Sequence, residues 1–149
     1  MRAVVQRVNA ARVEVNGRVV GKIDTGLCVF VGAAKGDTDA DIHYLVRKLV
    51  HLRIFTDATG KMSLSLKNTG GAILAISQFT VLGDVRNGRR PGFASAMPPH
   101  EARAVYRRFV AALRAEQLPI ETGRFGADMR VYVDNDGPVT ILLDSRKLF

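Results

Sequence analysis

The sequence has a single cysteine, Cys28, no tryptophan and three histidines. One cysteine excludes an intramolecular disulfide and any Cys-rich zinc site. Placed in the apolar run GLCVFVG, it reads as a small buried hydrophobe, and this usage fits a reducing cytoplasm. His43, His51 and His100 lack HExxH spacing, and His100-Glu101 has no downstream PCxxC to make it a zinc-deaminase signature. Also missing are GxxxxGK[ST], GxGxxG and GxSxG, so phosphate-loop, dinucleotide and α/β-hydrolase readings lose their main support. No apolar run approaches the roughly 20 residues of a membrane span, and MRAVVQRV at the start has no signal-like core. The expectation is a cytoplasmic chain with no metal, no cofactor and no membrane partner.

What is present describes a globular chain of 149 residues, 47% hydrophobic and 24% charged, and one domain over residues 1–149 is expected. Surface scaling for that size gives about 7,500 Å² of exposed area. The net charge of +8 is unevenly spread. Residues 1–56 carry nine basic and five acidic side chains, 57–99 five and two, and 100–149 eight and seven. Such an excess attracts polyanions, with nucleic acid the leading class and anionic membrane or mere solubility the alternatives.

Residues 2–8 and 12–15 read as strands, with Asn16-Gly17 as a tight turn into Val19-Val20. Leu27 to Ala33 has the length and continuity of a strand covered on both faces. Asp37 or Thr38 can cap a helix whose Ile42, Leu45, Val46 and Leu49 follow the 3.6-residue period. Residues 53–56 look extended, Met62, Leu64 and Leu66 alternate as a half-buried strand, and Ile73 to Val81 reads as another strand. Residues 83–99 form a long surface loop holding Arg86, Arg89 and Arg90. Pro98-Pro99 opens a second helix to about Glu116, with Val105, Phe109, Ala112 and Leu113 on one face. Finally, residues 129–133 and 139–143 read as two strands around DNDGP, a hairpin or a sharply bent pair. About nine strands and two substantial helices imply an α/β chain: a single layered domain with extensive, mostly antiparallel β-sheet and two main helices.

Two motifs carry chemical information. In Ser77-Gln78-Phe79-Thr80, strand geometry would put Ser77 and Phe79 on one face and Gln78 and Thr80 on the other. Glutamine is a good hydrogen-bond donor and acceptor and a poor acid or base. A plain surface strand end is the competing reading. In Asn135-Asp136-Gly137-Pro138-Val139-Thr140, glycine leaves its carbonyl unshielded and proline lacks a donor. An ordinary turn with a trans bond competes there, since most X-Pro bonds are trans. A cis bond would turn two successive carbonyls to one side as a rigid acceptor.

In ordered combination these motifs resemble the homodimeric bacterial D-aminoacyl-tRNA deacylases, the D-tyrosyl-tRNA deacylase family. The resemblance runs through MRAVVQRV, LRIFTDATGKM at 52–62, SQFT at 77–80, NGRRPGF at 87–93, TGRFGADM at 122–129 and NDGPVTILLDS at 135–145, and so covers practically the whole chain. Leu82 and Gly92 depart from the residues usual at those places. The resemblance implies hydrolysis of the ester joining a D-amino acid to the terminal adenosine of tRNA. It further implies an RNA-assisted reaction in which the adenosine 2′-hydroxyl takes part and no protein nucleophile is needed. Gln78, Phe79 and Thr80 would be the catalytic positions and Ser77, Phe125 and Met129 substrate-binding neighbours. Gly137 and Pro138 would come from the other subunit of a homodimer, meet the α-amino group, and leave no room for an L side chain. Glycine would pass such a filter, so glycyl-tRNA mischarged on alanine tRNA is an implied second substrate. Two other classes stay open on residues alone: an inactive RNA-binding module using Arg86, Arg89, Arg90 and the basic helix, and a serine or cysteine hydrolase of small esters, the serine case being a triad built on Ser77 or Ser95.

Overall fold

The computed structural model describes residues 1–149. Its spine is one long strand, β1 (Arg2–Val15), which joins the two short strands expected at 2–8 and 12–15. Along one edge, β1 pairs first with β3 (Gly26–Gly32) through residues 2–8 and then with β2 (Arg18–Ile23) through residues 11–15, both antiparallel. The β1–β2 hairpin turns on Asn16 and Gly17, both at positive φ (51° and 74°), as an Asn-Gly turn requires. Beyond β3 lie β6 (Ala72–Ser77) and β7 (Ile120–Thr122), each added in parallel. The other edge of β1 is covered end to end by antiparallel β8 (Arg130–Asp144). The sheet order is β2-β1-β3-β6-β7 with β8 on β1, and a separate small ribbon pairs β4 (Phe55–Thr56) with β5 (Met62–Leu64). The main sheet is therefore mixed, three antiparallel and two parallel pairings, and curls so that β2 leans against β7.

Two helices screen one face. In α1 (Asp39–His51), Thr38 caps the first turn and donates its N–H to the Asp41 carboxylate in a capping box, while Ile42, Leu45, Val46 and Leu49 are all buried. Helix α3 (Pro99–Ala115) has Pro at its first position and buries Val105, Tyr106, Phe109 and Leu113. These faces and the sheet side of β3 and β6 make a core of 25 buried residues. A second core on the opposite face holds Val8, Val13, Cys28, Leu74 and Ile76.

Three expectations are corrected. Leu66 does not continue the strand 62–66: Ser65 caps a one-turn helix, α2 (Leu66–Thr69), whose Asn68 bonds back to Ser65. These local side-chain bonds outweigh a three-residue alternation. The strand from Ile73 stops at Ser77 instead of Val81, and residues 79–82 close a 3-10 turn. Residues 129–143 form neither a hairpin nor two strands. They are one strand, because β1 is long enough to template the whole of it.

Candidate active site

At the C-terminal ends of β3 and β6 the sheet opens into a cavity of about 550 Å³, roofed by α3. Ser77, Gln78, Phe79 and Thr80 all line it, and so do Phe125 and Met129 from the segment between β7 and β8. The 3-10 turn is the reason the four motif residues share one wall. The Gln78 amide extends the ladder one last step, donating to the Val31 carbonyl at 2.8 Å. The chain then coils, and Gly83 N–H closes the turn on the Thr80 carbonyl at 3.0 Å. This path crosses Gly32 so closely that a β-carbon there would lie 2.8 Å from the Gln78 carbonyl oxygen. Only glycine fits.

Within the wall, Gln78 Nε2 donates to Thr80 Oγ1 at 2.9 Å, which leaves the threonine hydroxyl free to donate into the cavity. Phe79 is 55% exposed, an unusual state for a phenylalanine, and meets Phe93 edge to face with centroids 4.9 Å apart. The far wall is built on Tyr106, whose hydroxyl donates to the Ala75 carbonyl at 2.8 Å and whose ring leans on Phe125 at 5.8 Å. Burial pushes the Tyr106 phenol up to about 12, so at neutral pH it is a donor fixed in the wall and no base. Phe125 in turn lies under the Arg103 guanidinium, 5.2 Å from its centroid.

No histidine lines this cavity, and its only carboxylate is Asp128. Cys28 is buried in the opposite core with its thiol pushed up to about 12, so it offers no thiolate. The hydroxyl of Thr80 is paired with an amide and has no activating base among its bonded partners. The arrangement suits an apolar, concave seat with a few fixed donors that orient a substrate.

Gly137 and Pro138 do not line the cavity. They stand on β8 where its pairing with β1 jumps from Gln6↔Thr140 to Val8↔Asn135, so that three extra residues bulge out opposite Arg7. The Gly137-Pro138 bond is cis, and Gly137 has φ 118°. Arg7, missed in the sequence reading, fastens this bulge. Its nearly buried guanidinium pairs with the Asp136 carboxylate at 2.9 Å, donates to the Asp136 carbonyl at 3.3 Å, and reaches across to the Ile54 carbonyl. A charged residue inside an otherwise alternating apolar strand was the available signal. Also missed were Phe93, Met97 and Tyr106. The last was legible as a tyrosine on the buried stripe of α3, which requires a partner for its hydroxyl.

The bulge and the cavity are far apart in one chain. Four residues along β1 and three strand spacings across the sheet separate them by about 20 Å. The α-carbon pairings Ala3↔Val31 and Val31↔Ser77 put the cavity at one end of the sheet, while the bulge stands opposite Arg7.

A family model described as D-Tyr-tRNA(Tyr) deacylase matches residues 4–144. The chain is 61% identical over its whole length to a D-aminoacyl-tRNA deacylase of Sorangium cellulosum and 54% identical to one of Clostridium botulinum, covering 100% of each relative. Among solved structures it resembles one titled c-Myc DNA Unwinding Element Binding Protein, with TM-score 0.92 and 43% identity over 97% of this chain and 98% of that one. A probable eukaryotic D-amino acid tRNA deacylase shares the fold at TM-score 0.82 and 20% identity, covering 95% of this chain and 97% of its own.

Proposed function

The chain belongs to the D-aminoacyl-tRNA deacylase family and is a hydrolase of D-aminoacyl-tRNA esters, and from that premise we propose how its cavity does this work. The single observation that carries the reading is that Ser77, Gln78, Phe79, Thr80, Phe125 and Met129 line one cavity, of a size that seats a nucleoside with an attached amino acid. The terminal adenosine and the ester lie against the Ser77–Thr80 wall. Exposed Phe79 offers a ring to stack on, and Gln78, braced by the Thr80 hydroxyl, holds the ester carbonyl and a water together with the neighbouring backbone amides. Catalysis comes from proximity and preorganised donors, with the adenosine 2′-hydroxyl supplying the reactive group that the chain lacks.

Gly137 and Pro138 belong to this site only if a second copy brings them. In one chain about 20 Å along the sheet separates them from the Ser77–Thr80 wall. Three features support a homodimer. The accessible surface is 8606 Å² against about 7,500 Å² expected for a monomer of this mass. β8 pairs on one edge alone, leaving a strand of 15 residues open to a partner. Leu142, on that strand, is 55% exposed. In the assembled site the Gly137 and Pro138 carbonyls receive the substrate α-amino group. They crowd out an L side chain and leave a D side chain pointing outward unread, so many D-amino acids are accepted. Glycine has neither side chain and passes, which makes glycyl-tRNA mischarged on alanine tRNA a second substrate. The enzyme works in the cytoplasm, where aminoacyl-tRNA is used.

The test is direct. The purified chain is expected to deacylate D-tyrosyl-tRNA, a second unrelated D-aminoacyl-tRNA and glycyl-tRNA while sparing L-tyrosyl-tRNA. Equal turnover of D- and L-tyrosyl-tRNA overturns the filter.

A further inference from the structure

The loop that follows the 3-10 turn carries three arginines against one acid, and its charge is arranged unevenly. Its base is a two-residue bridge in which Asp84 and Gly92 exchange both backbone hydrogen bonds at 2.8 Å. Arg86 is already engaged: its Nε and Nη2 donate to the Asp84 carboxylate at 2.9 and 2.7 Å. That pairing draws the Asp84 carboxyl down to about 2, so the two charges cancel throughout the neutral range. Asp84 is the only acid between residues 83 and 99. Arg89 and Arg90 are therefore left exposed with no ion pair.

These two arginines follow closely along the chain from the cavity wall. Phe93, next after Gly92, lines the cavity and touches Phe79. Arg90 and Arg89 lie two and three residues from Gly92, within about 7 and 11 Å of the bridge even if the chain is fully extended. On the opposite rim Arg103 covers Phe125, and exposed Arg124 is likewise without an ion pair. Against these four cations the rim sets Asp128 and, in the first turn of α3, Glu101. A nucleoside seated on Phe79 must pass its phosphodiester chain out over this rim, and a guanidinium fork matches a phosphate with two parallel hydrogen bonds.

We propose that Arg89 and Arg90, held beside the Phe79–Phe93 wall by the Asp84–Gly92 bridge, grip the phosphodiesters of the single-stranded 3′ end of the tRNA as it leaves the cavity. They are positioning residues, acting on phosphate and not on the ester or the amino acid. The proposal rests on the reading that the cavity holds the terminal adenosine.

The experiment compares Arg89→Ala/Arg90→Ala with wild type on D-tyrosyl-tRNA and on 3′-O-(D-tyrosyl)adenosine, which has the ester and no phosphate. On the tRNA, kcat/KM is expected to fall about 10- to 100-fold at low salt, mainly through KM. The slope of log(kcat/KM) against log salt should flatten by about 1.4, at about 0.7 for each contact to a single-stranded phosphate that is lost. On the nucleoside ester the variant should match wild type within twofold, and Arg89→Lys/Arg90→Lys should recover most of the loss on tRNA. A control that removes two exposed cations elsewhere, Arg18→Ala/Lys22→Ala on β2, should leave the tRNA reaction unchanged. Equal losses on both substrates would mean a structural role, an unchanged salt slope would mean no phosphate contact, and an equal loss in the control would mean diffuse attraction. Each of these overturns the proposal. Anisotropy of a labelled single-stranded RNA ending in CCA gives a readout independent of hydrolysis. If wild type binds that RNA through the two arginines and hydrolyses neither ester, the ester-binding reading fails and the grip stands.

Discussion

Thr80→Val separates the roles open to the one hydroxyl in the middle of the proposed ester wall. The substitution keeps the β-branched shape and removes Oγ1, the acceptor of the Gln78 Nε2 bond at 2.9 Å. Thr80 is exposed and Gln78 half-buried, so water replaces the lost partner. The net worth of such a bond is about 0.5–1.5 kcal/mol. If the hydroxyl serves only to hold Gln78, that energy converts to a loss of about 2- to 13-fold in kcat/KM. A hydroxyl that itself donated to the developing oxyanion would cost about 10²–10³-fold when removed. A nucleophile would cost on the order of 10⁶-fold. The three ranges do not overlap.

Single-turnover deacylation of D-tyrosyl-tRNA with enzyme in excess measures the loss without product release. The expected result for Thr80→Val is the smallest of the three. Gln78→Ala should do at least as much harm, and the double variant little more than Gln78→Ala alone, because the two side chains act through one bond. A loss of about 10²-fold or more, or an aminoacyl ester trapped on Thr80, would refute the assignment of the hydroxyl to holding Gln78.

Three further outcomes are expected. Gly137→Ala places a β-carbon 2.9 Å from Val139 Cγ2 and 3.1 Å from Arg7 Nη2 at φ 118°, so it should cost about 1–3 kcal/mol, lower the melting temperature by about 2–12 °C and weaken D/L discrimination; wild-type values for both would refute it. Cys28, with its thiol pushed up to about 12, has only about one thiolate in ten thousand at pH 8, so a thiol-reactive disulfide reagent should label it only after unfolding, and rapid labelling of the folded chain would contradict the burial. No three His, Cys, Asp or Glu side chains cluster as a metal site. Dialysis against chelator at fixed ionic strength should accordingly leave deacylation unchanged, and activity lost and then restored by one equivalent of a metal would refute that.

The parts of the fold that were legible in the sequence are those that local physics decides. The α1 stripe of Ile42, Leu45, Val46 and Leu49 repeats at the helical period and is buried as expected. Asn16-Gly17 turns the first hairpin because few other pairs adopt two positive φ angles. What failed was decided at long range or by side chains competing with the backbone. Ser65 and Asn68 close a helical turn on themselves, and Leu66 then points into the core from a helix, where the alternation 62-64-66 had placed it on a strand. SQFT looked like a strand end with two faces. It lines one cavity because Gly32, 46 positions earlier, lets the chain coil across it.

The bulge at Gly137-Pro138 shows why the path of this segment escaped any local reading. DNDGP has the composition of a hairpin turn, and in isolation that is its most economical conformation. β1 changes the outcome by offering its edge to residues on both sides of the segment, so that pairing is kept from Arg130 to Asp144 and three residues are expelled from the ladder. Expulsion alone would leave the backbone polar groups of the segment to solvent. Arg7 binds the Asp136 carbonyl and carboxylate from within the sheet, and Asp136 and Arg7 are 129 positions apart. A residue that looked like one more charge in an N-terminal strand therefore determines how Gly137 is presented. The chemistry of the cavity wall is encoded in a run of four residues, whereas its proposed stereochemical filter depends on strand pairing across the whole chain and on a second copy of it.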